Sequence, residues 1–138
     1  MKTIDQEITF EELGLLNRPI ISKTDLKGNI TYVNSAFCKL SGYEKSELLN
    51  QPHNIIRHPD MPKSFFRDLW ETIEKNQNFR GFVKNLRKDG TYYWSELFIE
   101  PIFKETGEKV GYISLYKPVS KEDKEKYSKI YQEQKMKE

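Results

Sequence analysis

The sequence predicts an α+β fold: a five-stranded antiparallel sheet with short helices on one face and flanking N- and C-terminal helices. Three observations predict it. Apolar residues alternate with period two in stretches bounded by Gly, Pro, Asn and Asp. Phe65, Phe66, Leu69, Trp70 and Ile73 recur at helical spacing in mid-chain. The order is two strands, several short helices, then three strands. Without repeats or a low-complexity linker, the 138 residues divide into a cap segment 1–19, one domain 20–118 and a charged helix 119–138. A chain of this size hides roughly two-thirds of its unfolded surface, enough for a core of its own.

The elements follow in order. Residues 5–16 read as a short helix with Phe10, Leu13, Leu15 and Leu16 as its apolar patch, ended by Asn17-Arg18-Pro19. Residues 19–24 and 30–33 read as a hairpin around a turn containing Gly28. Asn34 and Ser35 are natural caps for a helix carrying Ala36, Phe37 and Leu40, with Gly42 at its stop. A second short helix spans 44–49, and Pro62 opens the aromatic helix. After Asn76-Gln77-Asn78 the period becomes two: strands at 81–87, 91–103 and 110–117 are separated by Lys88-Asp89-Gly90 and a turn at Gly107. Ser120 caps a final helix of Lys, Glu and Gln, with Tyr127, Ile130 and Tyr131 as its main apolar residues.

Alternation sends Gly81, Val83, Asn85 and Arg87 to one sheet face, and Tyr93, Ser95, Leu97 and Ile99 share a face of the next strand. Both faces of the sheet are partly apolar and so both are covered, the inner by the middle helices and the outer by terminal helices or a partner. Asn85 stands out beside Val83. A buried amide needs partners, supplied either by the backbone or by a ligand. Asn34 carries the same two readings, cap or pocket residue.

Composition excludes several classes. Lys plus Arg (23) nearly balance Asp plus Glu (21) and are interleaved with them, so no basic patch points to nucleic acid or lipid. Cys38 is the only cysteine, which removes internal disulfides and multi-thiolate zinc sites and fits a small core residue in a reducing compartment. No secretory leader and no run of roughly 18 apolar residues is present, so a cytoplasmic location without direct membrane insertion is expected.

The densest chemistry lies at residues 51–62, where His53, Arg57, His58 and Asp60 crowd between Pro52, Pro59 and Pro62 ahead of the aromatic helix. Such a braced polar cluster suits a bound group. The histidine and aspartate spacings match no helical zinc signature, so a metal-dependent hydrolase is disfavoured. Haem is a rival guest, with His53 or His58 as axial ligand. A cofactor-free docking or dimerisation module is the alternative from another class.

Asn34-Ser35-Ala36-Phe37 with Ser41-Gly42-Tyr43, Arg87-Lys88-Asp89-Gly90 before Tyr93-Trp94, and Pro101 ten residues before Gly111 together resemble a PAS domain. The run 51–62 with Gly81-Phe82-Val83-Lys84-Asn85 is similar to the FAD-binding PAS domains of aerotaxis (Aer-type) energy sensors, over roughly residues 20–118. The resemblance implies noncovalent FAD, and a redox signal passed to a methyl-accepting-type chemotaxis transducer, which can recruit the protein to the membrane. It implies no enzyme activity. Arg57, His58 and Asp60 match positions on which flavin retention depends, and Asn34 and Asn85 match pocket positions. The chemistry agrees: an amide answers the alternating donors and acceptors of a flavin edge, and a guanidinium suits a pyrophosphate. Tyr93 and Trp70 offer flat apolar surface, and Ser95 joins Asn85 among the groups that re-pair on reduction.

Phe79 stands where the Aer-type pattern usually has tryptophan, which keeps an aromatic but loses the indole donor. No cysteine is poised for covalent photochemistry, and Tyr116 stands nearest to the signal-relaying glutamine of light-sensing relatives. A chain complete at Glu138 resembles the small PAS partner of a two-part energy-taxis system; homodimerisation is also compatible with its two-sided apolar sheet.

Overall fold

Asp25 bends the first hairpin by accepting hydrogen bonds from the Lys27 and Asn29 amides, both at 2.9 Å, while Gly28 takes φ +90°, a conformation that suits glycine. The computed structural model, which describes residues 3–138, thereby sets β1 (Ile21–Thr24) against β2 (Ile30–Val33). Met1 and Lys2, the start of the expected cap segment, lie outside the described residues. There follow α1 (Ser35–Ser41), α2 (Lys45–Leu48), a 3-10 turn (His53–Ile56) and α3 (Lys63–Glu74). The chain ends with β3 (Phe79–Leu86), β4 (Tyr92–Phe103), β5 (Lys109–Lys117) and α4 (Lys121–Met136).

The sheet order is β2-β1-β5-β4-β3, antiparallel throughout. Because β2 and β3 are the two edges, the helices between them must cross one whole face. That crossing builds the core, with Phe37, Leu40, Leu48, Ile56 and Ile73 all nearly inaccessible. Register fixes the inner face: Asn85 opposes Tyr93, Val83 opposes Ser95, Gly81 opposes Leu97, and Leu97 in turn opposes Tyr116. Ser22 opposes Ser114, which extends the same face to β1.

The outer face is partly covered by α4. Tyr131 stacks on Trp94 with ring centroids 6.2 Å apart and its hydroxyl donates to the Phe82 carbonyl, while Tyr127 packs on Phe82 at 4.7 Å. Ser120 caps this helix by accepting from the Asp123 amide at 3.1 Å.

The expected N-terminal helix over 5–16 does not form; residues 10–14 make turns. Its backbone groups are used elsewhere. The Ile4 and Ile8 amides donate to the Gly90 and Tyr92 carbonyls, both at 2.8 Å, and the Tyr92 amide donates to Gln6 at 3.1 Å. This segment therefore extends the sheet along the start of β4, on the side where β5 has ended, and Gly14 at φ +69° breaks any helical run. Phe10 and Leu15 still reach the core, 3% and 1% exposed.

Candidate functional site

Between α3 and the inner sheet face lies an open cavity of about 360 Å³, within the range of about 300–1,000 Å³ usual for cofactor sites. Leu69, Trp70 and Ile73 of α3 roof it, and Val83, Leu97, Ile99 and Tyr112 form its floor. His53, Asn54 and Arg57 close one side and the Lys27-Gly28 turn another. A Cβ on Gly28 would stand 3.0 Å from the Trp70 ring, so this glycine permits the tryptophan to seat at the mouth.

Asn85, 5% exposed, is the polar group at the β3 end of the floor. Its Nδ2 donates to the Tyr93 hydroxyl at 3.3 Å. The other end of the amide has no hydrogen bond among the described residues and borders the cavity. Arg57 stands at the mouth with its guanidinium 3.6 Å from the Phe66 ring centroid. Burial lowers its pKa, and no carboxylate pairs with it or with Lys27 among the described residues. The mouth therefore carries cations without counterions, above an apolar slot that holds an amide.

Of the nine site residues expected from sequence, Arg57, Trp70 and Asn85 line this cavity. Tyr93 is fully buried behind Asn85, and burial raises its pKa steeply, so its hydroxyl stays protonated. Phe79 packs edge-to-face on Phe65, centroids 5.6 Å apart, beyond the cavity's end. Ser95, 0% exposed, donates to the Glu96 carbonyl at 3.1 Å and belongs to the sheet.

Asn34 is a brace rather than a pocket residue. Its Oδ1 accepts from the Phe37 amide at 3.0 Å and the Ile21 amide at 3.2 Å, and its Nδ2 donates to the Pro19 carbonyl at 2.8 Å. The whole amide is spent on tying α1 to β1.

His58 and Asp60 lie on the other side of the wall, in a cleft beneath α4 with Lys84 and Tyr92. The reason is local. Arg57 pairs its backbone with Asn85 in an extended bridge, so the next side chain points the opposite way. His58 meets the Tyr92 ring at 5.9 Å, and Asp60 pairs with Lys84 at 2.9 Å. Burial disfavours the Asp60 carboxylate, yet the Lys84 ammonium outweighs it and lowers the pKa; burial and then Lys84 lower that of His58. Haem ligation inside the cavity is thus closed to His58. No cluster of three metal-ligating side chains occurs among the described residues.

Sequence reasoning missed one feature of the site. His53 Nε2 lies 2.9 Å from the Tyr116 hydroxyl and 3.1 Å from Ser22 Oγ, and those two oxygens are 3.0 Å apart. His53 and Tyr116 line the cavity at its β1–β5 end. Burial pushes the His53 imidazole down to about 4 and raises Tyr116, so the cluster is neutral near pH 7. The alternation of β1 and β5 was the available signal, but only their adjacency brings Ser22 to Tyr116.

The chain is similar to known proteins over most of its length. A sequence profile described as the PAS fold matches residues 30–116. The aerotaxis receptor of Escherichia coli (strain K12) is 46% identical over 96 residues, covering 70% of this chain and 19% of that protein. A nitrogen fixation regulatory protein of Klebsiella pneumoniae is 34% identical over 100 residues, 72% of this chain and 20% of that one. The chain thus spans about a fifth of the length of these two curated relatives. A solved light-oxygen-voltage domain, studied with a flavin analogue, aligns at TM-score 0.73 and 23% identity over 86% of this chain and 90% of its own, a likeness of fold.

Proposed function

With membership of the PAS family as premise, since the profile covers residues 30–116, we propose that this chain is a redox sensor that holds FAD and reports its state by protein contact. The carrying observation is the cavity: an apolar slot with a half-free amide at one end and unpaired cations at the mouth. Those residues fit the group. Asn85 would face the hydrogen-bonding edge of the ring system, and Val83, Leu97 and Ile99 its flat face. Arg57 and Lys27 would meet the pyrophosphate, for which a guanidinium is suited by its paired donors.

FAD, when bound, supplies a ring that accepts and returns electrons. The protein's share is to hold and orient that ring and to shield it with Trp70 and α3. The similarity to an aerotaxis receptor supports energy taxis as the process and a methyl-accepting-type chemotaxis transducer as the partner, with α4 and the exposed outer-face residues as the contact. We read it as a sensor without turnover, acting in the cytoplasm. No helix among the described residues is long and apolar enough to cross a membrane.

The absorption spectrum of freshly purified protein tests this directly. The two visible bands of oxidised flavin are expected, with FAD released on denaturation and identified by chromatography. Protein that stays colourless after reconstitution with FAD, or shows a haem Soret band, overturns the reading.

A further inference from the structure

We propose that His58 is an acid-sensitive catch on the loop that carries Arg57: neutral, it holds the loop against β3, and protonated, it frees the loop and weakens the grip on the cofactor's phosphates. The inference rests on the flavin reading above and concerns residues outside the cavity.

His58 is 5% exposed, and its Nδ1 accepts from the Asp60 amide at 3.0 Å. An imidazole that accepts at Nδ1 is neutral and carries its proton on Nε2. The same turn is closed by the Met61 amide, which donates to the His58 carbonyl at 3.1 Å. With its backbone thus fixed, Asp60 turns its carboxylate to Lys84 of β3 at 2.9 Å, although that carboxylate also lies 3.8 Å from His58 Nδ1.

A proton from water on Nδ1 changes both partners of Asp60. The imidazolium has an N–H on each nitrogen and no acceptor, so the Asp60 amide loses its bond and faces another donor. The new cation also competes with Lys84 for the Asp60 carboxylate. Either change loosens the segment that runs back to Arg57, whose backbone bridges Asn85 at the cavity. A guanidinium on a loosened backbone must be reordered at every binding event.

The surroundings resist that proton. Burial opposes the charged ring most and the Lys84 ammonium next; Asp60 favours it, Lys135 of α4 opposes it and Asp5 favours it. Tyr92, edge-on at 5.9 Å, stays neutral because burial raises its pKa. The net direction is downward from 6.5, so the catch is closed at pH 7 and opens in acid. Linkage then fixes the sign: FAD binds the closed loop better, so its affinity falls as the pH falls, and FAD lowers the His58 pKa in return. One proton limits the change to about tenfold per pH unit.

The test titrates the full chain with FAD, as wild type and His58→Asn, between about pH 7.5 and 5.5, above the range in which His53, at about 4, takes a proton. Asparagine puts an amide oxygen where Nδ1 stands, which accepts from Asp60 and does not become charged. Wild type is expected to bind FAD roughly tenfold more weakly at the acid end, and His58→Asn to change by less than about twofold. Riboflavin, without phosphates, should bind the wild type equally across the range. A second readout needs no variant: ¹⁵N NMR of histidine-labelled wild type should show His58 Nδ1 unprotonated at neutral pH, with a titration midpoint lower in the presence of FAD than in its absence. A constant wild-type affinity, a wild-type pH dependence in His58→Asn, an equal loss of riboflavin, or a midpoint unmoved by FAD overturns the catch and leaves the flavin reading intact. Wild-type protein that takes up no FAD even at neutral pH overturns both.

Discussion

Removing the Asn85 amide separates a structural cost from a ligand cost. In Asn85→Ala the Tyr93 hydroxyl, which is 0% exposed and bonded to Asn85 Nδ2 at 3.3 Å, loses that partner. An orphaned buried hydroxyl costs about 1–3 kcal/mol. Water entering the enlarged cavity can recover part of this, so about 1–2 kcal/mol is expected. For a chain of this size each kcal/mol lowers the melting temperature by roughly 3–5 °C, giving a drop of about 3–10 °C without ligand. The lost contacts to the ring edge, about 2 kcal/mol together, weaken FAD roughly 30-fold. With FAD at a hundred times the wild-type Kd, the wild type gains about 2.7 kcal/mol and the variant about 0.9 kcal/mol. Thermal melts of both proteins with and without FAD read the two effects separately. In a double-mutant cycle, adding Tyr93→Phe to Asn85→Ala should return part of the structural loss, because no hydroxyl is then stranded. A variant that melts like the wild type and gains as much from FAD refutes the reasoning.

Four further outcomes are expected. Gly28→Ala places a Cβ 3.0 Å from Trp70 at φ +90°, so it should lose about 1–2 kcal/mol in chemical denaturation and bind FAD less tightly. Arg57→Ala removes only a guanidinium–Phe66 contact, worth about 0.5–1 kcal/mol, yet should weaken FAD at least about tenfold while leaving riboflavin, which lacks phosphate, unaffected in fluorescence titrations. His53, held neutral with a pKa of about 4 against 6.5 in the open, refuses a proton that the unfolded chain accepts. Its contribution to stability is whole above pH 6.5 and is lost as the pH falls toward 4, and melts between pH 7.5 and 4.5 should show a shallower decline in His53→Gln. Asp60→Ala should raise the FAD dissociation rate in stopped-flow displacement, although Asp60 does not line the cavity; an unchanged rate removes it from the retention machinery.

What could be read from the sequence was what neighbours in the chain decide. Alternation placed Asn85, Val83 and Leu97 on the inner face because a strand has only two sides. Ser120 and Asn34 announced helix starts because a cap bonds within three residues. Residues 5–16 were misjudged because their fate depends on Gly90 and Tyr92, far along the chain. His58 and Asp60 were grouped with Arg57 because sequence proximity hides alternation in an extended segment. The Ser22–Tyr116 contact joins residues 94 positions apart; no local pattern signals that β1 and β5 are neighbours.

Placing His58 and Asp60 behind the cavity wall gives them a physical task. The segment 57–61 is held against β3 by the Arg57–Asn85 bridge, by the Lys84 amide donating to Met61 Sδ at 3.4 Å, and by the Asp60–Lys84 pair. Asn85 and Lys84 are consecutive, so one edge strand carries the cavity's amide on one side and the clamp on the other. A guanidinium binds phosphate well only if its backbone does not wander, since each freed rotamer must be reordered on binding. The same seam meets α4, because Lys135 donates to the Pro59 carbonyl and Glu138 accepts from the Lys63 and Ser64 amides at the start of α3, each at 3.1 Å. A displacement of Arg57 or of the α3 roof is therefore felt at the far end of α4 through hydrogen bonds. Signal transfer by this route needs only a small bias between two arrangements, about 1–3 kcal/mol, comparable to the strength of the few bonds that make up the seam.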